Sequence, residues 1–150
     1  MPSDHPHPGA PELSLSLHAG IADIPAAEWD ACAGTDNPFV SHAFLSALED
    51  SGSAGARTGW LPQHVALRDP AGALVAAAPA YAKANSYGEY VFDHGWARAF
   101  EQAGGQYYPK LQVAVPFSPV PGPRLLRRPG HDVPPEAIAQ GLAQVVDSLD

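Results

Sequence analysis

The stretch WLPQHVALRDPAGALVAAAPAYAKAN, Trp60 to Asn85, limits the possible folds more than any other part of this chain. Two strand-like runs flank Asp69-Pro70-Ala71-Gly72, which has Pro in its second position and Gly in its fourth, as a type I or II turn favours. The pattern predicts a β-hairpin. Proline cannot donate to a strand ladder, so Pro62 and Pro79 must each lie at an edge, a bulge or a strand end. Pro79 falls in mid-run and predicts a break or bulge.

Upstream, Leu13, Leu15 and Leu17 alternate with Ser14, Ser16 and His18, the period of a half-buried strand. Asp23 and Pro25 open a short helix whose body is AAEWDACA. After the turn GTDNP, Ser41 caps a second helix, Val40 staples against Leu45, and Phe44, Leu45 and Leu48 form its apolar stripe. Gly52 ends that helix, and SGSAGARTG reads as a flexible loop with no core-forming residue.

Downstream, Phe92, Trp96, Ala99, Phe100 and Ala103 repeat at helical spacing, with Asp93 near the start and Gly104–Gly105 as the stop. A stripe of this kind reads as core. The strand KLQVAV follows, with Leu111, Val113 and Val115 on one face, and then four prolines within eight residues. PPEAIAQGLAQVVDSL makes an amphipathic helix through Ile138, Leu142, Val145 and Leu149. The order β-α-α-β-β-α-β-loop-α predicts an α/β class fold, an α+β mixed sheet of about four strands. A terminal helix with no strand after it leaves such a sheet open, which predicts the front part of a larger architecture.

A chain of 150 residues is long enough for one domain with its own core. Residues 1–11 read as a disordered, solvated tail, without the basic and apolar regions of a secretory signal, and 12–150 as the domain. No apolar run approaches the ~20 residues of a membrane span. A single cysteine, Cys32, excludes an intramolecular disulfide and suits a reducing, cytoplasmic setting. Of seven histidines only His5 and His7 lie close together, so no metal site is expected.

The net charge of −8 argues against the usual basic nucleic-acid-binding domain. Residues 81–130 nevertheless carry six cations (Lys83, Arg98, Lys110, Arg124, Arg127, Arg128) against three acids. Three constellations there bear chemistry. In AKANSYGEYVFD, Tyr87 and Glu89 share one face of an alternating segment, so Glu89 is the candidate base and Tyr87 the candidate acid, with Lys83 and Tyr90 beside them. In YYPK, Tyr107 and Tyr108 should point to opposite faces of a strand, and Lys110 is a point charge suited to phosphate or carboxylate. In PFSPVPGPR, prolines stiffen a loop that ends in Arg124, so gripping an anion there sacrifices little entropy. The expectation is a grip for negative charge made by Lys110 and Arg124. Phosphate-loop, nucleophile-elbow, C-x-x-C and H-E-x-x-H signatures are absent.

The phrases NPFVSHAFLSALEDSG, WLPQHVALRDPAGALVAAAPAYAKANSYGEYVFD and YYPKLQVAVPFSPVPGPRLL, with the Trp96-centred helix, resemble the N-terminal half of the FemAB-like acyltransferases, bacterial proteins of peptidoglycan biosynthesis or recognition related to GNAT-family N-acetyltransferases. The resemblance covers about Leu13 to Leu149. It implies a GNAT-like half-domain that recognises an acceptor, such as a peptidoglycan precursor, for acyl or aminoacyl transfer to an amine. It implies an acyl-CoA or aminoacyl donor in a complete protein, and a second GNAT half or a homodimer. Lys83, Tyr90, Tyr107, Tyr108, Lys110 and Arg124 would line the acceptor groove. The coenzyme A pyrophosphate loop of GNAT enzymes, Q/R-x-x-G-x-G/A, finds its nearest counterpart in RRPGHD at Arg127, where Asp132 replaces the final small residue and Pro129 removes a donor. This chain alone is therefore not expected to bind acetyl-CoA in the standard way. The alternative is a non-catalytic module for an anionic ligand, or a structural half-domain.

Overall fold

A computed structural model describes residues 13–85, 94–117, 122, 124–131 and 133–148. The hairpin forms as its sequence predicts, from β3 (His64–Arg68) and β4 (Leu74–Ala78). Gly72 N donates to Asp69 O at 2.9 Å, Ala73 N donates to Asp69 Oδ1 at 2.9 Å, and Gly72 takes φ 87°, a left-handed value that glycine adopts without a steric penalty. β1 (Ser14–His18) pairs along β3, and the two-residue β7 (Leu126–Arg127) along β4, giving the order β1-β3-β4-β7.

The expected single sheet is in fact two. Beyond Pro79 the second arm continues as β5 (Ala80–Lys83), which lies between β2 (Leu61–Pro62) and β6 (Lys110–Val113) in a separate three-stranded sheet. Each arm of the hairpin is broken once, at Gln63 and at Pro79, and passes from one sheet into the other. Proline has no N–H to give, but Pro79 O still accepts from Ala114 N at 3.2 Å and Gln63 N donates to Ala80 O at 2.8 Å, so the crossing stays bonded. Pro62 lies on the edge strand, as proline requires. All of these pairings are antiparallel, and the α+β class holds.

Helices cover both faces of the four-stranded sheet, which explains why β3 and β4 are buried almost throughout. On one side lie α1 (Ala26–Ala33) and α2 (His42–Asp50), whose Trp29, Cys32 and Leu45 pack with Ala66, Leu74, Ala77 and Leu126. Trp29 Nε1 donates to Val40 O at 2.8 Å, and Ser41 Oγ accepts from Phe44 N at 3.2 Å as the N-cap. Leu45 is fully buried, worth about 1.5–3 kcal/mol relative to exposure. On the other side, α4 (Pro135–Ser148) sets Ile138 against Leu67, Val75 and Ala76, while Leu142, like Leu111 and Val113, packs on the cluster of Val65, Ala78 and Ala80. Gly141 permits this approach, because a Cβ there would sit 3.1 Å from Leu15 Cδ1. Among the described residues no helix is long and apolar enough to cross a membrane.

Two further expectations are corrected. The loop Ser51–Gly59 carries a 3-10 turn (Ala56–Thr58), and its Ala54 is buried against Trp60 and Tyr81. The segment is held by Ala54 N to Leu48 O at 2.9 Å and Trp60 N to Gly55 O at 3.2 Å. The aromatic stripe of α3 (His94–Gln102) is not core: Trp96 is 78% and Phe100 51% exposed, while Ala97 is buried. Phe100 folds back onto Gly105, whose N–H bonds to Phe100 O at 3.0 Å. Helical period identifies an apolar face, but it does not say that anything covers it.

Candidate functional site

Register in the smaller sheet brings two of the expected cations together. Lys83 on β5 stands directly opposite Lys110 on β6, and Tyr81 opposite Gln112. Facing residues of an antiparallel pair project to the same side, with Cβ atoms about 4.5–5.5 Å apart. Tyr81, Lys83, Lys110 and Gln112 therefore form one polar face, while Ala80, Leu111 and Val113 turn toward α4.

Aromatic rings wall that polar face. Lys83 is completely buried, and its Nζ lies 3.8 Å from the centroid of the Trp60 ring. Trp60 also meets Tyr81 and Phe117, each at 5.4 Å between ring centroids. Lys110 is half-buried, with Nζ 5.7 Å from the Tyr107 ring and 5.8 Å from that of Tyr108. Ring faces carry negative potential, so each ammonium gains from this packing. The two tyrosines do not point to opposite faces as expected, since β6 begins only at Lys110 and strand alternation does not reach them. Their rings meet edge to face at 5.0 Å on the Lys110 side.

Beneath the lysines lies a buried polar cluster that the sequence did not single out. His64 Nε2 lies 2.9 Å from Glu49 Oε2, and Ala80 N donates to His64 Nδ1 at 3.3 Å. Since Nδ1 accepts, Nε2 carries the proton and donates to the carboxylate, an assignment made from the bonding pattern. Glu49 Oε1 accepts from Ile21 N at 2.8 Å. The Tyr81 ring packs on His64 at 5.2 Å, and burial, reinforced by the negative charge of Glu49, holds its phenol protonated well above the ordinary tyrosine range. Trp60 Nε1 and Tyr81 Oη are buried and, among the described residues, have no hydrogen-bond partner. The one available signal is His64 itself, a polar residue opening a strand that continues with apolar Val65, Ala66 and Leu67.

Arg124 has other neighbours. Its Nη1 donates to Gly122 O at 3.1 Å, and Gly122 abuts the Asn37 side chain, so this end of the loop rests on the turn before α2. Tyr87, Glu89 and Tyr90 lie outside the described residues. Among the described residues no group of three His, Cys, Asp or Glu side chains could hold a metal ion.

What the site offers is positive charge on a rigid sheet, one ammonium buried and one half-exposed, between aromatic walls. Like charges on facing strand positions repel.

A sequence profile of the FemAB-like family, described as peptidoglycan biosynthesis/recognition, matches residues 20–150. No curated protein and no solved structure matches the chain. With the profile spanning every helix and every strand after β1, this chain belongs to the FemAB-like family of peptidoglycan biosynthesis/recognition proteins.

Proposed function

We propose that this chain is the acceptor-recognising, GNAT-like half of a cytoplasmic FemAB-like N-acyltransferase, acting on the amine of a peptidoglycan precursor. The observation that carries the reading is the facing pair Lys83 and Lys110, set among Trp60, Tyr107 and Tyr108, in a chain of this family. In the reaction, the acceptor amine attacks the acyl carbonyl of a thioester or ester donor. A C–N bond forms, the C–S or C–O bond breaks, and the amine proton ends on the leaving thiol or hydroxyl. Lys83, Lys110 and Arg124 hold the acceptor's negative charge, and Tyr90, Tyr107 and Tyr108 supply groove wall. Glu89 is assigned as the base and Tyr87 as the acid. The acyl-CoA or aminoacyl donor belongs to a complete protein, with a second half or a homodimer partner contributing its site.

Calorimetry with a UDP-linked muramoyl peptide tests this assignment. The Lys110→Gln/Arg124→Gln double variant should bind at least about tenfold more weakly, because it removes two charge-assisted contacts. Unchanged affinity refutes it. A second reading, a binding module without catalysis, is favoured by one feature: the titratable side chains of the described polar face are lysines and a tyrosine held protonated. Mass spectrometry with acetyl-CoA and amine acceptors separates the two readings. Product above background removes the pure binder, and its absence in the presence of every required partner removes the transferase.

A further inference from the structure

The buried end of the lysine face holds two hydrogen-bond donors whose needs the fold leaves unmet. Trp60 Nε1 and Tyr81 Oη are shut off from bulk water, and among the described residues neither has a partner. Buried polar groups are nearly always bonded, because an unmet donor carries its full desolvation penalty. Here both belong to rings in contact, 5.4 Å between centroids, so the deficit is concentrated in one place. The same place carries backbone strain. Phe117, whose ring centroid is 5.4 Å from that of Trp60, takes φ 58°, a left-handed value that a bulky side chain resists. Strained backbone and unsatisfied polar groups both lower stability, and they gather where a protein binds something.

The chemistry of the two groups selects their ligand. An indole N–H only donates, and the Tyr81 phenol stays protonated well above the ordinary tyrosine range, so it too is a donor at neutral and mildly alkaline pH. The atom they receive is therefore an acceptor. Lys83, two positions along β5 on the same face as Tyr81, sets its ammonium 3.8 Å from the Trp60 ring centroid, which favours an acceptor with negative charge. An anion reaching these buried atoms sheds its water, at a cost that grows with the square of its charge. A carboxylate, singly charged with two acceptor oxygens in one plane, thus outranks a phosphate dianion.

We propose that Trp60 and Tyr81 are the hydrogen-bond donors of a carboxylate-binding subsite at the buried end of the face shared by Lys83 and Lys110. A peptide-bearing acceptor places its terminal carboxylate there. For that identity the inference rests on the acceptor reading, whereas the donor pair and its class of ligand do not.

Proton–nitrogen NMR of the full chain tests this through the indole N–H signals of its three tryptophans. Trp29 Nε1 already donates to Val40 O at 2.8 Å and serves as the internal reference. Sodium acetate, titrated at constant ionic strength, should move the Trp60 signal downfield to saturation and leave that of Trp29 in place. Methyl phosphate should move it less. Tyr81→Phe should weaken acetate binding about fivefold or more, yet leave the thermal midpoint of the free protein unchanged or higher, because it deletes an unsatisfied hydroxyl. A Trp60 signal that ignores acetate, or that methyl phosphate moves as far, overturns the proposal. So does a Tyr81→Phe variant that melts lower while binding acetate as the parent does, the mark of an internal water bonded to both donors. The UDP-linked muramoyl peptide separates the two readings. If it binds without moving the Trp60 signal, the subsite alone falls; if acetate behaves as expected and the peptide does not bind, the acceptor reading alone falls.

Discussion

Glu49 joins three separate elements, and its removal should be the most damaging single polar change in the described structure. Its two oxygens accept from Ile21 N at 2.8 Å and from His64 Nε2 at 2.9 Å, and both partners are at most 1% exposed. Glu49→Ala leaves two buried donors without acceptors. At about 1–3 kcal/mol for each unsatisfied group, the loss is about 2–6 kcal/mol, a large part of the stability of a domain this size. Glu49→Gln keeps one carbonyl acceptor but turns an NH2 toward the other donor. His64 cannot escape by switching tautomer, because Nδ1 is engaged by Ala80 N. The glutamine variant should therefore lose about 1–3 kcal/mol. Urea unfolding followed by tryptophan fluorescence measures both, as Trp29 packs edge-on to His64 at 5.8 Å. An independent check is the Tyr81 phenol, whose titration should move down modestly once the carboxylate is neutralised, burial remaining the larger cause. The reasoning fails if Glu49→Ala stays within about 0.5 kcal/mol of the parent, or if glutamine is as damaging as alanine.

Three further outcomes follow from the packing. Trp96→Ser should change unfolding free energy by no more than about 0.5 kcal/mol, since the ring is 78% exposed; a loss of several kcal/mol in urea would restore the core reading of that helix. Gly141→Leu should cost about 1–3 kcal/mol and lower the thermal midpoint, because even a Cβ there sits 3.1 Å from Leu15. Burial raises the Cys32 thiol from 9.0 to about 11, so between those pH values the unfolded chain releases its proton first. Stability from this group is intact below pH 9 and falls as pH rises toward 11, by at most about 1.4 kcal/mol per pH unit. Denaturation of the parent and Cys32→Ala at a series of alkaline pH values should show the extra slope in the parent alone.

What the sequence disclosed, it disclosed locally. Ser41, Gly72 and the AAEWDACA run each set an element through contacts a few residues apart, and these elements form as read. Pro79 announced a break, but nothing local said that the chain beyond it joins a different sheet. β7 has two residues, too few for any period, and exists because β4 offers an edge. Trp96 lies on an apolar face that nothing covers, and amphipathicity reports a face and not its cover. The sequence shows Lys83 and Lys110 only as separate cations, because their apposition depends on a strand register spanning 27 positions. Glu49, His64 and Tyr81 carry no local signature, because what couples them is tertiary contact between α2, β3 and β5.

The breaks at Gln63 and Pro79 also act as phase setters. Each inserts one residue between two strands of an arm, so each decides which way the strand beyond it faces. Adding or deleting one residue at Pro79 would rotate Lys83 away from the Trp60 ring and toward α4, exchanging an ammonium for Ala82 on the polar face. The length of one short joint thus governs whether this end of the protein presents charge or methyl groups.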